Sequence, residues 1–300
     1  MVSALIIGCG NIGGLYDLNN DLVQSHSKAM YNATWIKKVD VFDVNFDLAK
    51  KISRKYDFGI INSLPEVINY DLVCISTPTS THLNYLKLAI KSKIPLVICE
   101  KPISNNVKEL ESLFKLYSYG ESRIMVNYFR RFQIGYKKLK NEYNFIFCEI
   151  NTIEVNYYKG ILNNASHALD LVIFLTNKNL NPESVEILKS EYDSFDFDPT
   201  VSLKFNSNNV NFILNGANIK SPIFEISFKS NNHILKLIEG GNTALIFKDN
   251  KLIKKIDNLT LNYMTDVYLD LEKLFLNSKN KDNFIQSLNL NKQQITNFIK

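Results

Sequence analysis

Residues Ala4–Gly13 read Ala-Leu-Ile-Ile-Gly-Cys-Gly-Asn-Ile-Gly. The first half is a short, continuous apolar run, the pattern of a strand buried on both faces. The second half spaces Gly8, Gly10 and Gly13 as GxGxxG. That spacing serves a tight turn, a close backbone approach to an anionic pyrophosphate, and close packing of helix on strand. N–H groups at a helix N-terminus add attraction for the anion. Alone, the pattern would also fit a glycine-rich structural turn, so its neighbours decide.

Working outward, strands and helices alternate. Leu5–Gly8 reads as a strand, Ser25–Ala33 as a helix, Val39–Asp43 as a strand and Phe46–Tyr56 as a helix. Asp71–Ser76, Leu96–Cys99 and Ile124–Tyr128 follow as strands, separated by helices at His82–Ser92 and Val107–Tyr117. This βαβ rhythm predicts a Rossmann-type, doubly wound parallel sheet over residues 1–124. One irregularity is the long first crossover, Gly14–Gln24, read either as a flap over a ligand mouth or as a plain surface insertion.

Beyond residue 124 the texture changes. Alternating runs at Phe145–Tyr158, Ser184–Tyr192, Val201–Phe205, Val210–Leu214, Phe224–Lys229, Ile234–Glu239 and Ala244–Phe247 predict a large, mostly antiparallel open sheet. Helices are expected at Ala165–Thr176, Tyr263–Asn277 and Lys292–Lys300. The expected architecture is α/β, with the N-terminal sheet domain followed by an α+β domain over 125–300. At 300 residues the chain is long enough for two cores.

Composition narrows the partners. The net charge of +5 comes from scattered lysines, and no basic tail suggests nucleic acid. No apolar run approaches the roughly 20 residues that span a bilayer. The N-terminus lacks a secretory pattern. Cys9, Cys74, Cys99 and Cys148 form no CxxC pair and lie in or beside apolar runs, which fits reduced, buried thiols in a cytoplasmic protein. No metal site is expected.

The glycine turn opening a βαβ series implies a bound dinucleotide. Asp43 ends the second strand, where a carboxylate accepts hydrogen bonds from ribose hydroxyls and repels a 2′-phosphate. Positions 44–46 carry no Arg or Lys, so NAD is expected over NADP. Thr77, Pro78 and His82 follow a later strand and are expected near the nicotinamide ribose, with a locally capped helix-start histidine as the alternative for His82. Asn11, Ile12 and Glu100 complete the candidate cofactor set. The run Leu96–Pro102, Leu-Val-Ile-Cys-Glu-Lys-Pro, places the Lys101 ammonium at the carboxyl end of a strand in the same sheet, where such sheets hold ligands.

Four phrases then stand in a recognisable order: Gly8–Gly13, Ser76-Thr-Pro-Thr-Ser-Thr-His82, Glu100-Lys101-Pro102 and Ser166-His167-Ala-Leu-Asp170. In them the chain resembles the Gfo/Idh/MocA oxidoreductases over nearly its whole length. The resemblance implies NAD(P)-dependent redox chemistry at a secondary hydroxyl of a sugar, nucleotide sugar or cyclitol. It implies a cis bond at Lys101–Pro102, catalytic roles for Lys101 and His167, and a homodimer or homotetramer built through the C-terminal sheet. Two positions depart from the family pattern: Asn163 stands where Asp is frequent, and Phe129-Arg-Arg-Phe132 replaces Asn-Arg-Arg-Phe. Both turn the expectation away from inositol. Lys159–His167 is more similar to members acting in surface-glycan sugar synthesis.

On a helix at 100° per residue, Asn163, His167 and Asp170 fall within about 60° of one another. Ala168, Leu171, Val172 and Leu175 form a separate apolar stripe. His167 is thus read as catalytic, with a structural His–Asp pair as the alternative. A free lysine titrates near about 10.4 and would need a fall of about 3 units to act as base at neutral pH. Histidine starts near about 6.5, so His167 is the easier base and Lys101 the group holding the oxygen. Arg131, beside Arg130, is read either as an anion clamp or as half of a structural salt bridge. Tyr158, Asn163, Asn164 and Asp170 are candidate sugar contacts. Two other functions fit the same residues: a transhydrogenase that retains its NAD, and an NAD-binding sensor without turnover.

Overall fold

The computed structural model describes residues 2–192, 197–219, 221–277 and 279–299. The chain forms two compact units, Met1–Phe129 with Asn262–Leu288, and Arg130–Leu261 with Asn289–Lys300. The division thus falls five residues beyond the expected 124, and residues 262–288 belong to the first unit. An amphipathic helix such as Tyr263–Leu276 announces in sequence that it covers something, but not which sheet it covers.

In the first unit, β1 (Val2–Ile7), α1 (His26–Asn32), β2 (Ile36–Phe42), α2 (Phe46–Tyr56), β3 (Gly59–Ile60), β4 (Leu72–Ile75), α3 (Thr79–Lys91), β5 (Leu96–Cys99), α4 (Val107–Ser118) and β6 (Arg123–Val126) follow one another. The six strands are all parallel, in the order β3-β2-β1-β4-β5-β6. β4 and β5 are buried at every position, as expected for strands covered on both faces. Strand order reverses between β1 and β4, the place where open α/β sheets take ligands. Ser25, Asn45 and Asn106 cap α1, α2 and α4 with their side chains. The helix Tyr263–Leu276 buries Met264, Val267, Leu271 and Leu274. Arg123 donates to the carbonyls of Leu274 and Phe275 at its end.

The second unit holds α5 (Ile134–Glu142), α6 (Asn144–Cys148), β7 (Thr152–Tyr158), α7 (Ser166–Thr176) and seven further strands. These are β8 (Val185–Glu191), β9 (Thr200–Ser207), β10 (Val210–Ala217), β11 (Phe224–Lys229), β12 (His233–Ile238), β13 (Thr243–Lys248) and β14 (Lys251–Ile256). Their order is β14-β13-β12-β11-β7-β10-β9-β8. All pairs are antiparallel except β7 with β10. β7 alternates, burying Ile153, Val155 and Tyr157.

Two expected elements differ. The strand expected from Phe145 begins only at Thr152, because Ile146 and Phe147 are buried side by side while Phe145 is exposed, a helical rather than a period-two arrangement. The last helix runs Phe284–Gln293 and ends in a single wide turn at Gln294–Phe298, instead of starting at Lys292. Cys9, Cys74 and Cys99 are buried, but Cys148, expected to be buried with them, is exposed, because it is the last residue of α6 and follows the buried Ile146 and Phe147 around the helix. No helix among the described residues is long and apolar enough to cross a membrane.

Candidate functional site

The glycine turn is built by close approach. Gly8 adopts φ +101°, and a Cβ there would lie 2.7 Å from the Ser76 carbonyl oxygen, so only glycine fits without strain. A Cβ on Gly13 would collide with the Gly8 carbonyl. The Gly8 N–H donates to the Phe42 carbonyl (2.8 Å), and the Ser76 hydroxyl donates to the Gly8 carbonyl (2.7 Å). Gly10 is the opposite case: a Cβ there would meet no atom within 4 Å. Its missing side chain serves no neighbour inside the protein, as expected of a backbone that a pyrophosphate approaches.

Beside this turn lies a cavity of about 340 Å³, within the range of small-molecule sites. Gly8, Gly10, Asp43, Thr77 and Pro78, five of the expected cofactor residues, line it. Phe42, Val44, Leu48, Ser76, Thr81 and Tyr85 complete the wall and were not foreseen. Most of these sit one or two residues from a predicted contact, so strand-end position was the available signal. The Asp43 carboxylate accepts the N–H of Cys9 (2.6 Å) and of Asn45 (2.7 Å), one on each oxygen. It is therefore fixed at the wall with lone pairs remaining. No lining residue is Lys or Arg. The cradle, the apolar wall and the anchored carboxylate fit the adenosine and pyrophosphate of a dinucleotide.

The other candidate cofactor residues are placed differently. Asn11 is exposed, Ile12 half-buried and Gly13 buried in the turn Asn11–Leu15, beside the cavity but not in its wall. His82 is buried, with Nδ1 2.9 Å from the Pro102 carbonyl and Nε2 2.8 Å from the Thr77 carbonyl. Burial lowers its pKa, partly offset by those carbonyls. This corrects the expected cofactor contact: the ring ties the loop after β4 to the turn after β5. The inserted Gly14–Gln24 segment does not line the cavity either. Asp17, fully buried, closes it by accepting the N–H of Gln24 and Ser25 and the Ser25 hydroxyl.

Glu100 also turns inward, which corrects its expected cofactor role. Its Oε1 lies 3.0 Å from His26 Nε2 and accepts the Asn127 amide at 2.6 Å. Burial would raise its pKa, but the His26 hydrogen bond and charge, the Asn127 amide and the Lys101 charge together hold it below the ordinary value. His26 moves the other way, to about 10: burial opposes its charge, and Cys74 and Glu100 outweigh burial. His26 was missed in the sequence. The available signal was a histidine on the apolar face of a Ser25-capped helix, beside Ala29 and Met30 at i+3 and i+4. Lys101 follows half-buried, with a cis peptide to Pro102 as the resemblance implies.

In the second unit, His167 is the second residue of α7 and half-buried. The preceding turn, Gly160–Ala165, is pinned by Asp198, whose carboxylate accepts the N–H of Leu162 (2.7 Å) and Asn163 (3.0 Å). Asn163 itself is exposed, whereas the Asn164 side chain donates to the Lys159 carbonyl at 2.6 Å. Asp198 is a residue that sequence reasoning missed; it is distant in the chain and marked by no motif. Asp170 does not orient the His167 ring. Its carboxylate forms a bidentate pair with Arg131, at 2.9 Å to Nε and 2.8 Å to Nη2, with both side chains buried. Burial raises Asp170 to about 6 even against Arg131. The salt-bridge alternative for Arg131 is therefore the observed one, and neither group is shaped as a sugar contact. Tyr157 is likewise internal, bonding both the N–H and the carbonyl of Val201. Tyr158 is half-buried, with the Lys159 ammonium 5.7 Å from its ring centre.

The first unit is thus a dinucleotide-binding domain of the Rossmann class. Residues 2–128 match the family model described as the Gfo/Idh/MocA oxidoreductase family with an NAD-binding Rossmann fold. An inositol 2-dehydrogenase from Renibacterium salmoninarum is 28% identical over 145 residues, covering 47% of this chain and 41% of that protein. The chain spans about two fifths of the length of the curated relatives it matches. Among solved structures, a UDP-N-acetylglucosamine 3-dehydrogenase from Acidithiobacillus ferrooxidans has a TM-score of 0.79 at 16% identity, over 96% of this chain and 94% of that one. A 3-ketoreductase from Actinomadura kijaniata in complex with NADP has a TM-score of 0.77 at 11% identity, over 97% and 94%. At such identities the structural likeness shows the shared fold, a parallel-sheet Rossmann domain followed by a large, mostly antiparallel sheet.

Proposed function

We propose that the protein is an NAD-dependent oxidoreductase acting on a secondary hydroxyl or keto carbon of a sugar or nucleotide sugar, in the making of surface glycans. The observation that carries this is the placement of Lys101 directly after β5, in the sheet whose β1 and β4 ends form the glycine cradle. The names of the relatives, an inositol dehydrogenase, a nucleotide-sugar 3-dehydrogenase and a 3-ketoreductase, support a polyol or sugar carbon as the reacting centre. The open Gly10 backbone would receive the pyrophosphate. Asp43 would hold the adenosine ribose hydroxyls and repel a 2′-phosphate, favouring NAD. When bound, the nicotinamide supplies hydride donation and acceptance. Lys101 would hold the reacting oxygen and stabilise its negative character. His167 would take or return the hydroxyl proton, since an imidazole needs little tuning near neutral pH. The second unit's open sheet would pair copies of the chain into a homodimer or homotetramer.

A thermal-shift screen of nucleotide sugars in the presence of NADH identifies the substrate class. With the best ligand, Lys101→Ala and His167→Ala should each lower turnover by roughly 10²–10⁴ while NADH affinity is preserved. The double variant should lose less than the product of the two losses. Full turnover in either single variant would remove that residue from the mechanism.

A further inference from the structure

The first unit buries an ion pair next to Lys101 that the proposed chemistry does not itself require. His26 is fully buried and Glu100 nearly so, with 3.0 Å between Nε2 and Oε1. The other ring nitrogen lies 3.0 Å from the Tyr268 hydroxyl, and Asn127 donates to the same Glu100 oxygen. Four segments distant in sequence therefore meet in one cluster: the start of α1, the ends of β5 and β6, and the helix Tyr263–Leu276, whose Tyr268 reaches the carboxylate through His26. Such a pair is costly. Buried ions lose their hydration, and an apolar set of the same shape is often as stable or more so.

We propose that His26 is a positioning residue for the chemistry at Lys101: its imidazolium balances the Glu100 carboxylate and so limits how strongly that carboxylate holds the neighbouring ammonium in its protonated form. This rests on the reading of Lys101 as the residue that meets the reacting oxygen. Lys101 follows Glu100 in the chain, its charge is among the causes that hold the Glu100 carboxyl below its ordinary value, and an attraction between two charges acts on both. The remaining titratable groups facing the pair are Cys74, Cys99, His82 and Tyr268. Burial holds the Cys99 thiol and the Tyr268 hydroxyl protonated and disfavours a charged His82. His26 is the group whose charge meets Glu100 at hydrogen-bond distance. Without it, the carboxylate would lean on Lys101.

The test reads Lys101 directly and needs no substrate. Lysines are reductively methylated with ¹³C-formaldehyde, and the Lys101 resonance is assigned by its loss in Lys101→Arg. Its titration is then followed by NMR. His26→Gln keeps a polar group but removes the charge, and should move the Lys101 midpoint up by about 1 pH unit or more. His26→Gln with Glu100→Gln leaves the cluster neutral and should return the midpoint to near the wild-type value. That double variant carries the test if the single variant fails to fold. An unmoved midpoint in His26→Gln, or a raised one in the double variant, overturns the proposal. Full turnover in Lys101→Ala would instead retract the catalytic reading while leaving a titration shift in place.

Discussion

The two units place their polar groups in opposite ways. In the first, the parallel sheet is sealed on both faces, and its candidate ligand groups stand at strand ends: the backbone of the Gly8–Gly13 turn, the loop after β4, Asp43 after β2 and Lys101 after β5. In the second, the sheet alternates. Its polar side chains are committed largely to each other, as in Arg131 with Asp170, Lys229 with Glu154, and Asp198 with the turn before α7. A sheet buried on both faces can present chemistry only where its strands stop. A sheet with one polar face can place it anywhere, which makes its specificity residues harder to find.

Breaking each unit at its own kind of group should give separable losses. The largest concerns stability in the second unit. Arg131→Met strands the buried Asp170 carboxylate and should cost about 3–5 kcal/mol, the usual penalty for removing one partner of a buried pair. Asp170 already sits near 6 with its partner present, so in the variant it should take up a proton at neutral pH. Urea unfolding measures the loss, and NADH affinity, carried by the first unit, should hold. A stability change below about 1 kcal/mol would mean that the pair is not structural.

Next in size is the backbone cradle. Gly10→Val adds a side chain where no protein atom lies within 4 Å. Its unfolding midpoint should match wild type, yet NADH affinity should fall about 100-fold, roughly 2.8 kcal/mol. Gly8→Ala, strained at φ +101° and against the Ser76 carbonyl, should lower stability as well. Unchanged NADH binding in Gly10→Val would move the pyrophosphate away from this turn.

The same contrast explains what the sequence revealed. Backbone constraints leave local marks, so Gly8 and Gly10 are legible from spacing, Asp43 and Thr77-Pro78 from strand ends, and the βαβ alternation of the first unit from its apolar runs. Side-chain partnerships between distant segments leave no local mark. Asp170 follows His167 by three residues and reads naturally as its partner, but Arg131, 39 residues upstream, takes its carboxylate. Glu100 and His82 were expected contacts, yet both turn inward: Glu100 follows a strand, where side-chain directions alternate, His82 lies in the first turn of α3, and only the fold decides which direction is wet. β14 was passed over because its face is exposed along Lys251–Lys255, including Leu252 and Ile253. An edge strand without a buried face lacks the alternation that reveals strands.

A smaller effect sharpens the cofactor assignment. Asp43→Asn keeps the shape but loses the charge. It should weaken NADH about tenfold and leave NADPH unchanged or tighter, so that the preference narrows. Parallel fluorescence titrations of the two cofactors measure it. An unchanged ratio would show that Asp43 does not select the ribose.

The last effect is spread over a range of pH, within the first unit. Burial alone would lower the His26 pKa, but Cys74 and Glu100 raise it from 6.5 to about 10. The folded state therefore binds this proton more tightly than the unfolded chain does. The resulting stabilisation is complete below about pH 6.5, where both states are protonated. It declines as pH rises further, and is lost once pH passes about 10. For a single proton the decline cannot exceed about 1.4 kcal/mol per pH unit. Glu100, held below its ordinary value, has the opposite sign and contributes only on the acid side, as pH falls through its folded value. Between pH 6.5 and 10 Glu100 therefore adds nothing to the His26 decline, and the comparison with His26→Gln removes the part that the buried Cys9 and Cys99 thiols share between both proteins. The difference in urea midpoint between wild type and His26→Gln should be widest at pH 6 and should shrink steadily to pH 10. A gap that stays constant across this range would mean that the ring is neutral in the folded protein, and that its contact with Glu100 is an ordinary hydrogen bond.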